Sequence, residues 1–309
     1  MTFSDRSRGF EGAEDPEVVR FGDRYFMYYV LAPGDGVQRQ PWHIGIAASP
    51  DLELANFKKV AELQPRDLGE HNGIAVGSVL AHEGRIHLFY FSYGSGANDA
   101  VCLATSSDGL WFTPHPRNPI FRARGEWNCG RAISPHVVRA GDRWRMYVCT
   151  RDPEMSRQSI VLAEAKVGCD FGPEAWQQVG SGELFGPELD WEHESTESPS
   201  LIEHGGRWYM FYGGGYWTRP QQIGCAVSMD GVRWSRLATR PLLPYVSGAG
   251  GVPLERASPS VFRDPDGNDH LFVQESADRG RNWRVVRFPI RWVDGQPIID
   301  SERRTTPPV

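Results

Sequence analysis

The sequence predicts an all-β protein, specifically a five-bladed β-propeller in which each blade is a four-stranded antiparallel meander. Two observations lead to this prediction. The chain of 309 residues contains 34 glycines, 23 prolines and 12% aromatic residues, a composition typical of short strands joined by many turns. It also repeats one phrase at a period of about sixty residues, which indicates a repeat architecture and is not explained by a two-sheet sandwich.

The repeated phrase consists of a small or acidic residue, a proline, a short strand, a glycine-containing turn and an aromatic-rich strand. It is clearest in DPEVVRFGDRYFMYY, SPHVVRAGDRWRMYV and SPSLIEHGGRWYMFY. A fourth copy has a longer turn, and a fifth has glycine in place of the proline. The equivalent positions are Pro16, Gly77, Pro135, Pro199 and Pro259, which lie 61, 58, 64 and 60 residues apart.

Each phrase accounts for the first two strands of a blade, and a variable loop then leads to two more. The third strands are recognisable in IGIAASPD, VCLATSSDGLWF, IVLAEAK and IGCAVSMDGVRW. The aromatic strands Tyr25–Val30 and Trp208–Tyr212 are apolar at every position, as expected for strands that are covered on both faces. The predicted single domain therefore divides into blades at approximately 12–62, 72–120, 130–180, 194–240 and 255–300.

The candidate catalytic residues lie at the start of the first strands. In a propeller these strands line the central channel, so the residues around the five equivalent prolines converge at one mouth although they are distant in sequence. Blade 1 contributes Asp15 and blade 4 contributes Glu197. Two carboxylates across a pocket are what glycosidic cleavage needs, one as acid to the leaving oxygen and one to activate water or to attack directly. We therefore predict that this pair is catalytic.

The motifs around this pair resemble those of the five-bladed propeller glycoside hydrolases, namely family 43 and the related families 32 and 68. Family 43 carries A-D-P in its first blade and E-G-P in a later blade, and this chain has E-D-P at Glu14–Pro16 and E-S-P at Glu197–Pro199. The resemblance covers the whole chain at the level of the blade pattern. It implies that Asp15 is the general base, or the nucleophile as in the invertase group, and that Glu197 is the general acid.

Blade 3 departs from the family pattern. Family 43 has A-P-D-V here and the invertase group has R-D-P, whereas this chain has S-P-H-V at Ser134–Val137. His136 and Ser134 therefore stand where the two patterns place a third carboxylate. The remaining candidates for substrate binding or pKa tuning at this mouth are Glu14, Ser78 and Arg256.

Polar and aromatic loops between the blades are candidates for sugar contacts, because such loops carry specificity in propellers and aromatic faces stack on sugar rings. The loop GEHNG precedes blade 2, and the loop DWEHESTE precedes blade 4 and also contains Glu192 as a rival acid. The residues selected on this basis are His71, Asn72, Trp42, Trp127, Trp191, Tyr216 and Trp217.

Composition argues against several other classes. The formal charge is −6 and basic residues form no blocks, so neither nucleic acid nor an anionic membrane is expected as a partner. The five cysteines include no C-x-x-C pair, and the start of the chain has no apolar signal segment, so a reducing, cytoplasmic setting is expected. No cofactor or metal is expected, although a central Ca²⁺ of the kind found in part of family 43 stays open.

The leading hypothesis is thus a glycosidase that acts on a furanoside or pentose-type sugar. Two alternatives stay open because of the absent third carboxylate. One is a non-catalytic carbohydrate-binding propeller, and the other is a glycoside phosphorylase, which would need a basic cluster at the channel. The sugar, its linkage and the oligomeric state do not follow from the sequence.

Overall fold

The structure is a computed structural model that describes residues 1–33, 41–66, 69–215, 219–247 and 251–300. It confirms the five-bladed β-propeller and contains, within these residues, five antiparallel sheets and two 3₁₀ turns of three residues each, Leu54–Asn56 and Gly96–Asn98. No helix in the described chain is long and apolar enough to span a membrane.

Blades 1 to 4 are four-stranded meanders in which sequential strands pair antiparallel. Blade 1 comprises β2 (Glu14–Phe21), β3 (Arg24–Leu31), β4 (His43–Ser49) and β5 (Lys58–Leu63). Blade 2 comprises β6 (Ile74–His82), β7 (Arg85–Ser92), β8 (Val101–Ser106) and β9 (Thr113–Pro114). Blade 3 comprises β10 (Ile133–Ala140), β11 (Arg143–Arg151), β12 (Gln158–Lys166) and β13 (Gln177–Val179). Blade 4 comprises β14 (Thr196–His204), β15 (Arg207–Gly214), β16 (Gln222–Ser228) and β17 (Ser235–Arg236).

Blade 5 is larger than the sequence pattern indicates, because the two ends of the domain meet in it. Its strands are β18 (Val246–Ser247), β19 (Pro253–Arg263), β20 (Asp269–Ser276), β21 (Arg284–Val293) and β22 (Gln296–Ile299). The N-terminal strand β1 (Thr2–Phe3) also pairs with β21, through Thr2 opposite Val286. Strands from the beginning and the end of the domain thereby share one sheet and close the ring.

The core lies between neighbouring blades and is rich in aromatic rings. Tyr28, Tyr147 and Tyr212 are fully buried members of one cluster that spans several blades. Small residues in the third strands make room for these rings: a Cβ on Gly45 would overlap Tyr29, and one on Gly224 would overlap Tyr212. The paired residues are directly opposite in the sheets, which explains why glycine occurs there.

The first strand of every blade carries a β-bulge at the repeated motif. In four blades the residue before the proline has a positive φ between 46° and 48°, a conformation that non-glycine residues rarely adopt. These residues are Asp15, Ser134, Ser198 and Ser258. A bulge re-aims side chains and commonly occurs beside functional sites. Here it turns the residue before each proline toward the propeller axis.

Immediately after the proline, a polar side chain joins each blade to its neighbour. The Val137 amide donates to Ser78, the Leu201 amide to His136 Nε2 and the Val261 amide to Ser200, at 3.1, 3.1 and 2.8 Å. The Ser260 hydroxyl hydrogen-bonds to Glu17 and connects blade 5 to blade 1. We call Glu17, Ser78, His136, Ser200 and Ser260 the interblade ring. Each member lies opposite an aromatic residue of the second strand.

Candidate active site

The largest concentration of functional side chains lines a cavity of about 790 Å³ on the side of the propeller where the first strands begin. Its floor contains Glu14, Asp15, Ser134 and Glu197, which come from blades 1, 3 and 4. A volume of this size is in the range of small-molecule sites. Below the floor, the channel narrows to about 20 Å³ between the strained residues and the prolines, enough for about one water molecule.

Asp15 is held in place by blade 5. Its backbone N–H donates to the Gln274 side chain at 2.6 Å, and its carboxylate is hydrogen-bonded by Ser258. Burial raises the pKa of Asp15 to about 6, and the Ser258 contact opposes this rise. Asp15 has the lowest pKa of the carboxyl groups on the cavity floor and is therefore the first to be ionised as the pH increases.

Glu197 is held by blade 3. Gln158 donates to Glu197 Oε2 at 2.7 Å, and Arg151 Nε in turn donates to Gln158 Oε1 at 3.0 Å. The pKa of Glu197 is raised to about 7, mainly by burial and also by the negative charge of Asp15, while Arg151, Gln158 and Arg131 oppose the rise. The coupling to Asp15 shows that the two carboxyl groups share one electrostatic environment. Glu197 thus keeps its proton to a higher pH than Asp15 does.

Glu14 is the third carboxyl group of the floor. Burial and, to a smaller extent, the adjacent charge of Asp15 raise its pKa to about 8. A fourth carboxyl group, Glu255, lies higher in the cavity and accepts the Gln221 backbone N–H at 3.1 Å. These acids have pKa values that are raised to different extents, an arrangement that is frequent where acid and base roles are separated.

Loops between the second and third strands form the cavity wall. They supply the aromatic residues Trp42, Tyr93 and Trp283, together with Phe91 from the end of β7. The rings of Trp42 and Tyr93 pack edge to face at 5.1 Å. Of the aromatic residues selected from the sequence, Trp42 is in the wall, whereas Tyr216 and Trp217 lie outside the described residues.

Two other aromatic candidates are part of the packing of the blades. Trp191 stacks on the buried Tyr212 ring at 5.8 Å and covers Gly224. Trp127 packs against the hydrophobic cluster between blades 2 and 3. Neither tryptophan is among the residues that line the cavity in the described structure.

Several polar candidates also have structural contacts and do not line the cavity. Arg256 pairs with Glu275 at 3.1 Å and lies over the Phe288 ring. The Asn72 side chain donates to the Gly94 carbonyl at 3.1 Å, and the neighbouring His71 is exposed. The rival acid Glu192 is fully buried and is held by Arg236 and Tyr212.

His136 and Ser78 belong to the interblade ring. His136 is buried, its Nε2 accepts the Leu201 amide, and burial lowers its pKa to about 4, so it is neutral at physiological pH. Ser78 has the same structural function between blades 2 and 3. The structure places the histidine of the S-P-H-V motif below the cavity floor, and Ser134 is the residue of this motif that lines the cavity.

The sequence analysis missed the cavity residues that lie away from the repeated prolines, in loops or at other positions of the strands. They are Phe91, Tyr93, Arg219, Gln221, Glu255, Gln274, Arg279 and Trp283. It also missed Gln158 and Arg131, which lie behind Glu197. Gln158 is the first residue of the third strand in blade 3. A polar side chain at the start of this mainly apolar strand is the sequence signal that could have identified it.

The described residues contain no group of three or more His, Cys, Asp or Glu side chains arranged to hold a metal ion. The five cysteines are free thiols, of which Cys102, Cys149 and Cys225 are buried.

Comparison with solved structures identifies the same fold in known enzymes. A thermostable family-43 glycoside hydrolase superposes with a TM-score of 0.75 at 19% identity, over 99% of this chain and 98% of that chain. The family 32 β-fructofuranosidase BmSUC1 of Bombyx mori superposes with a TM-score of 0.71 at 15% identity, over 97% of this chain and 64% of that chain. Identities at this level establish similarity of fold.

Comparison at the sequence level adds family membership. A probable sucrose-6-phosphate hydrolase of Psychromonas ingrahamii is 26% identical over 147 residues, which is 46% of this chain and 26% of that relative's length. Residues 13–171 match the model of the glycosyl hydrolases family 32 N-terminal domain. The matched segment covers about half of the chain and includes Asp15 but ends before Glu197. The chain belongs to the glycosyl hydrolase family 32 N-terminal domain family.

Proposed function

We propose that this protein hydrolyses a furanoside, with a fructofuranoside of the sucrose type as the first substrate to test, and that Asp15 and Glu197 carry the reaction. The observation that supports this most is the location of both carboxyl groups on one cavity floor, where Asp15 raises the pKa of Glu197. The names of two similar proteins, a probable sucrose-6-phosphate hydrolase and a family 32 β-fructofuranosidase, support the choice of sugar.

In the retaining form of the mechanism, the ionised Asp15 attacks the anomeric carbon while Glu197 donates its proton to the departing glycosidic oxygen. Glu197, now ionised, then takes a proton from water as the water oxygen attacks the anomeric carbon and releases Asp15. In the inverting form, Asp15 instead takes the proton from the attacking water. The pKa values of about 6 for Asp15 and about 7 for Glu197 predict a narrow bell-shaped pH profile.

The test compares wild type with Asp15→Asn and Glu197→Gln on sucrose and on an aryl arabinofuranoside. We expect each substitution to lower kcat by about 10³-fold or more, because each removes one half of an acid–base pair. Ser198→Ala is the matched control, since Ser198 lines the same floor and has no assigned chemical step. Turnover at the wild-type rate in both carboxyl variants would refute the assignment.

Two arginines favour a second candidate, in which the ligand carries phosphate. Arg219 and Arg279 line the cavity from blades 4 and 5, are exposed, and make no ion pair or side-chain hydrogen bond with the described residues. Two guanidinium groups at the edge of a sugar site are suited to a phosphate. That phosphate could be an ester on the sugar, as the name of the Psychromonas ingrahamii relative suggests, or inorganic phosphate that replaces water in a phosphorolytic reaction.

Two assays distinguish these sources. Under the ester hypothesis, kcat/KM is higher for sucrose 6-phosphate than for sucrose, and Arg219→Gln with Arg279→Gln removes the preference. Under the phosphorylase hypothesis, turnover of sucrose requires inorganic phosphate and yields a sugar 1- or 2-phosphate. If neither the ester nor free phosphate changes the rate, the phosphate candidate is wrong and simple hydrolysis stands.

A further inference from the structure

Glu14 occupies in blade 1 the position that Glu197 occupies in blade 4, two residues before the repeated proline. The fold does not require an acid there, because blades 2, 3 and 5 have Ala75, Ile133 and Ala257 at this position. All three of those residues are buried apolar side chains. An acid in this register therefore calls for an explanation outside the folding of the blade.

The surroundings of Glu14 do not provide it with a partner. Its side chain is half-buried on the cavity floor, and no hydrogen bond or ion pair joins its carboxyl group to another described residue. The other floor acids differ, since Gln158 contacts Glu197 and Ser258 contacts Asp15. A carboxyl group on the cavity floor that has no hydrogen-bond partner among the described residues is available to a ligand that enters the cavity.

The backbone around Glu14 is nevertheless fixed. The preceding residue, Ala13, donates to the Trp283 carbonyl at 3.1 Å, and the following residue, Asp15, donates to Gln274 at 2.6 Å. Blade 5 thus holds the Glu14–Asp15 pair from both sides, so a ligand that reaches Asp15 meets Glu14 as well. A side chain on a rigid backbone segment is preorganised for binding.

The protonation state of Glu14 determines what it can offer to a sugar. Burial, together with the charge of Asp15, raises the pKa of Glu14 to about 8, so Glu14 is a neutral acid at neutral pH. A neutral carboxylic acid has an O–H to donate, whereas a carboxylate can only accept. Asp15 and Glu197 provide an acceptor and the catalytic proton, and Glu14 adds a donor directly beside Asp15, on a backbone segment that blade 5 holds on both sides.

We infer that Glu14 is a third functional acid of this cavity, which binds a hydroxyl of the sugar beside Asp15 by donating a hydrogen bond to it. This inference rests on the proposed function for the identity of the sugar. Such a contact contributes to catalysis if it strengthens in the transition state, as hydrogen bonds to ring hydroxyls do in glycoside hydrolysis.

The test uses Glu14→Gln, which keeps a donor but cannot ionise, and Glu14→Ala, which removes the donor. At about pH 6, we expect Glu14→Ala to lower kcat/KM for sucrose by about 10–100-fold and Glu14→Gln to change it by less than about 5-fold. At about pH 9, the affinity of wild type for D-fructose falls because Glu14 ionises, whereas that of Glu14→Gln changes little. Glu203→Gln is the control, because Glu203 is exposed at the far end of β14.

Two results would overturn the inference. If Glu14→Gln is as defective as Glu14→Ala, the group acts as an ionised acceptor; if neither differs from wild type, it does not contact the sugar. Calorimetric binding of fructose separates this inference from the proposed function. Fructose binding that depends on Glu14 without any turnover refutes the hydrolase and leaves the inference standing, and a failure of wild type to bind fructose refutes the contact.

Discussion

The first strands of the five blades differ from one another before the repeated proline and resemble one another after it. We call the residues before the proline the upper level and the interblade ring the lower level. At the two positions before the proline, the residues differ from blade to blade: they include an acid in blades 1 and 4, and are an apolar residue followed by serine in blades 3 and 5. Below the prolines, the interblade ring contains a hydrogen-bonding side chain in all five blades. The residues of the lower level are constrained because each one connects two blades. The residues of the upper level do not have this role, so they can differ between blades and serve the active site.

Asp15 and His136 have different roles although one directly precedes and the other directly follows the equivalent proline of its blade. Asp15 is above the proline and faces the cavity, whereas His136 is below it and bonds to a backbone amide. The strained bulge between the two levels reverses which side chains face the axis. His136, which in the sequence occupies the position of the family 43 carboxylate, is thus a structural residue in the fold.

The largest effect on stability is expected from a substitution that disrupts the interblade ring. His136→Leu removes the acceptor of the Leu201 amide and should lower the free energy of unfolding by about 1–3 kcal/mol at neutral pH. Ser134→Ala, two residues earlier and on the cavity side, should change it by less than about 0.5 kcal/mol. Urea denaturation of both variants measures the difference, and equal effects would break the distinction between the two levels.

His136 also predicts acid sensitivity. Its pKa is about 4 in the folded chain and 6.5 in the reference state, so its contribution is fully present above about pH 6.5 and is lost as the pH falls toward 4. His136→Leu should therefore weaken the decline in stability over this range. A decline that is unchanged in the variant would assign acid sensitivity to other groups.

A smaller effect is expected at Glu17, the one acid of the interblade ring. Burial raises its pKa from 4.5 to about 8, so above pH 4.5 the unfolded chain ionises while the folded chain retains the proton. Its contribution to stability thus declines as the pH rises from 4.5 to about 8. Glu17→Gln should unfold at a temperature a few degrees higher than wild type at pH 8 and at nearly the same temperature at pH 4. Thermal unfolding at both pH values checks this, and the opposite order would contradict it.

The smallest effect is expected at Gln158, which lies behind Glu197 and contacts its carboxyl group. Its hydrogen bond to Glu197 Oε2 favours the ionised carboxylate and so lowers the pKa of Glu197. In Gln158→Met, a change of similar side-chain length, Glu197 should keep its proton to higher pH and the alkaline limb of kcat/KM should move upward, with kcat at the optimum changed by less than about 10-fold. If the alkaline limb of the pH profile moves to lower pH instead, a group other than Glu197 controls it.

The repeat made the fold predictable. Five copies of one phrase at a regular interval identify the propeller, and a regular strand pattern is a local property that the sequence displays directly. The same alignment identified Glu14, Asp15 and Glu197, because acids at a position where other copies have alanine or isoleucine are visible without coordinates. Their location on one cavity floor follows from the closure of the ring.

What the sequence by itself determined was the number of blades and the residues that depart from the repeat. Only the tertiary structure decided which side chains face the cavity. The bulge at each proline interrupts the two-residue alternation of side chains along the strand, so this alternation does not predict which face a residue occupies. It also decided the cavity wall. Trp283 and Arg279 come from the turn between β20 and β21, and their meeting with Glu14, Asp15 and Glu197 depends on contacts between segments that are remote in the chain.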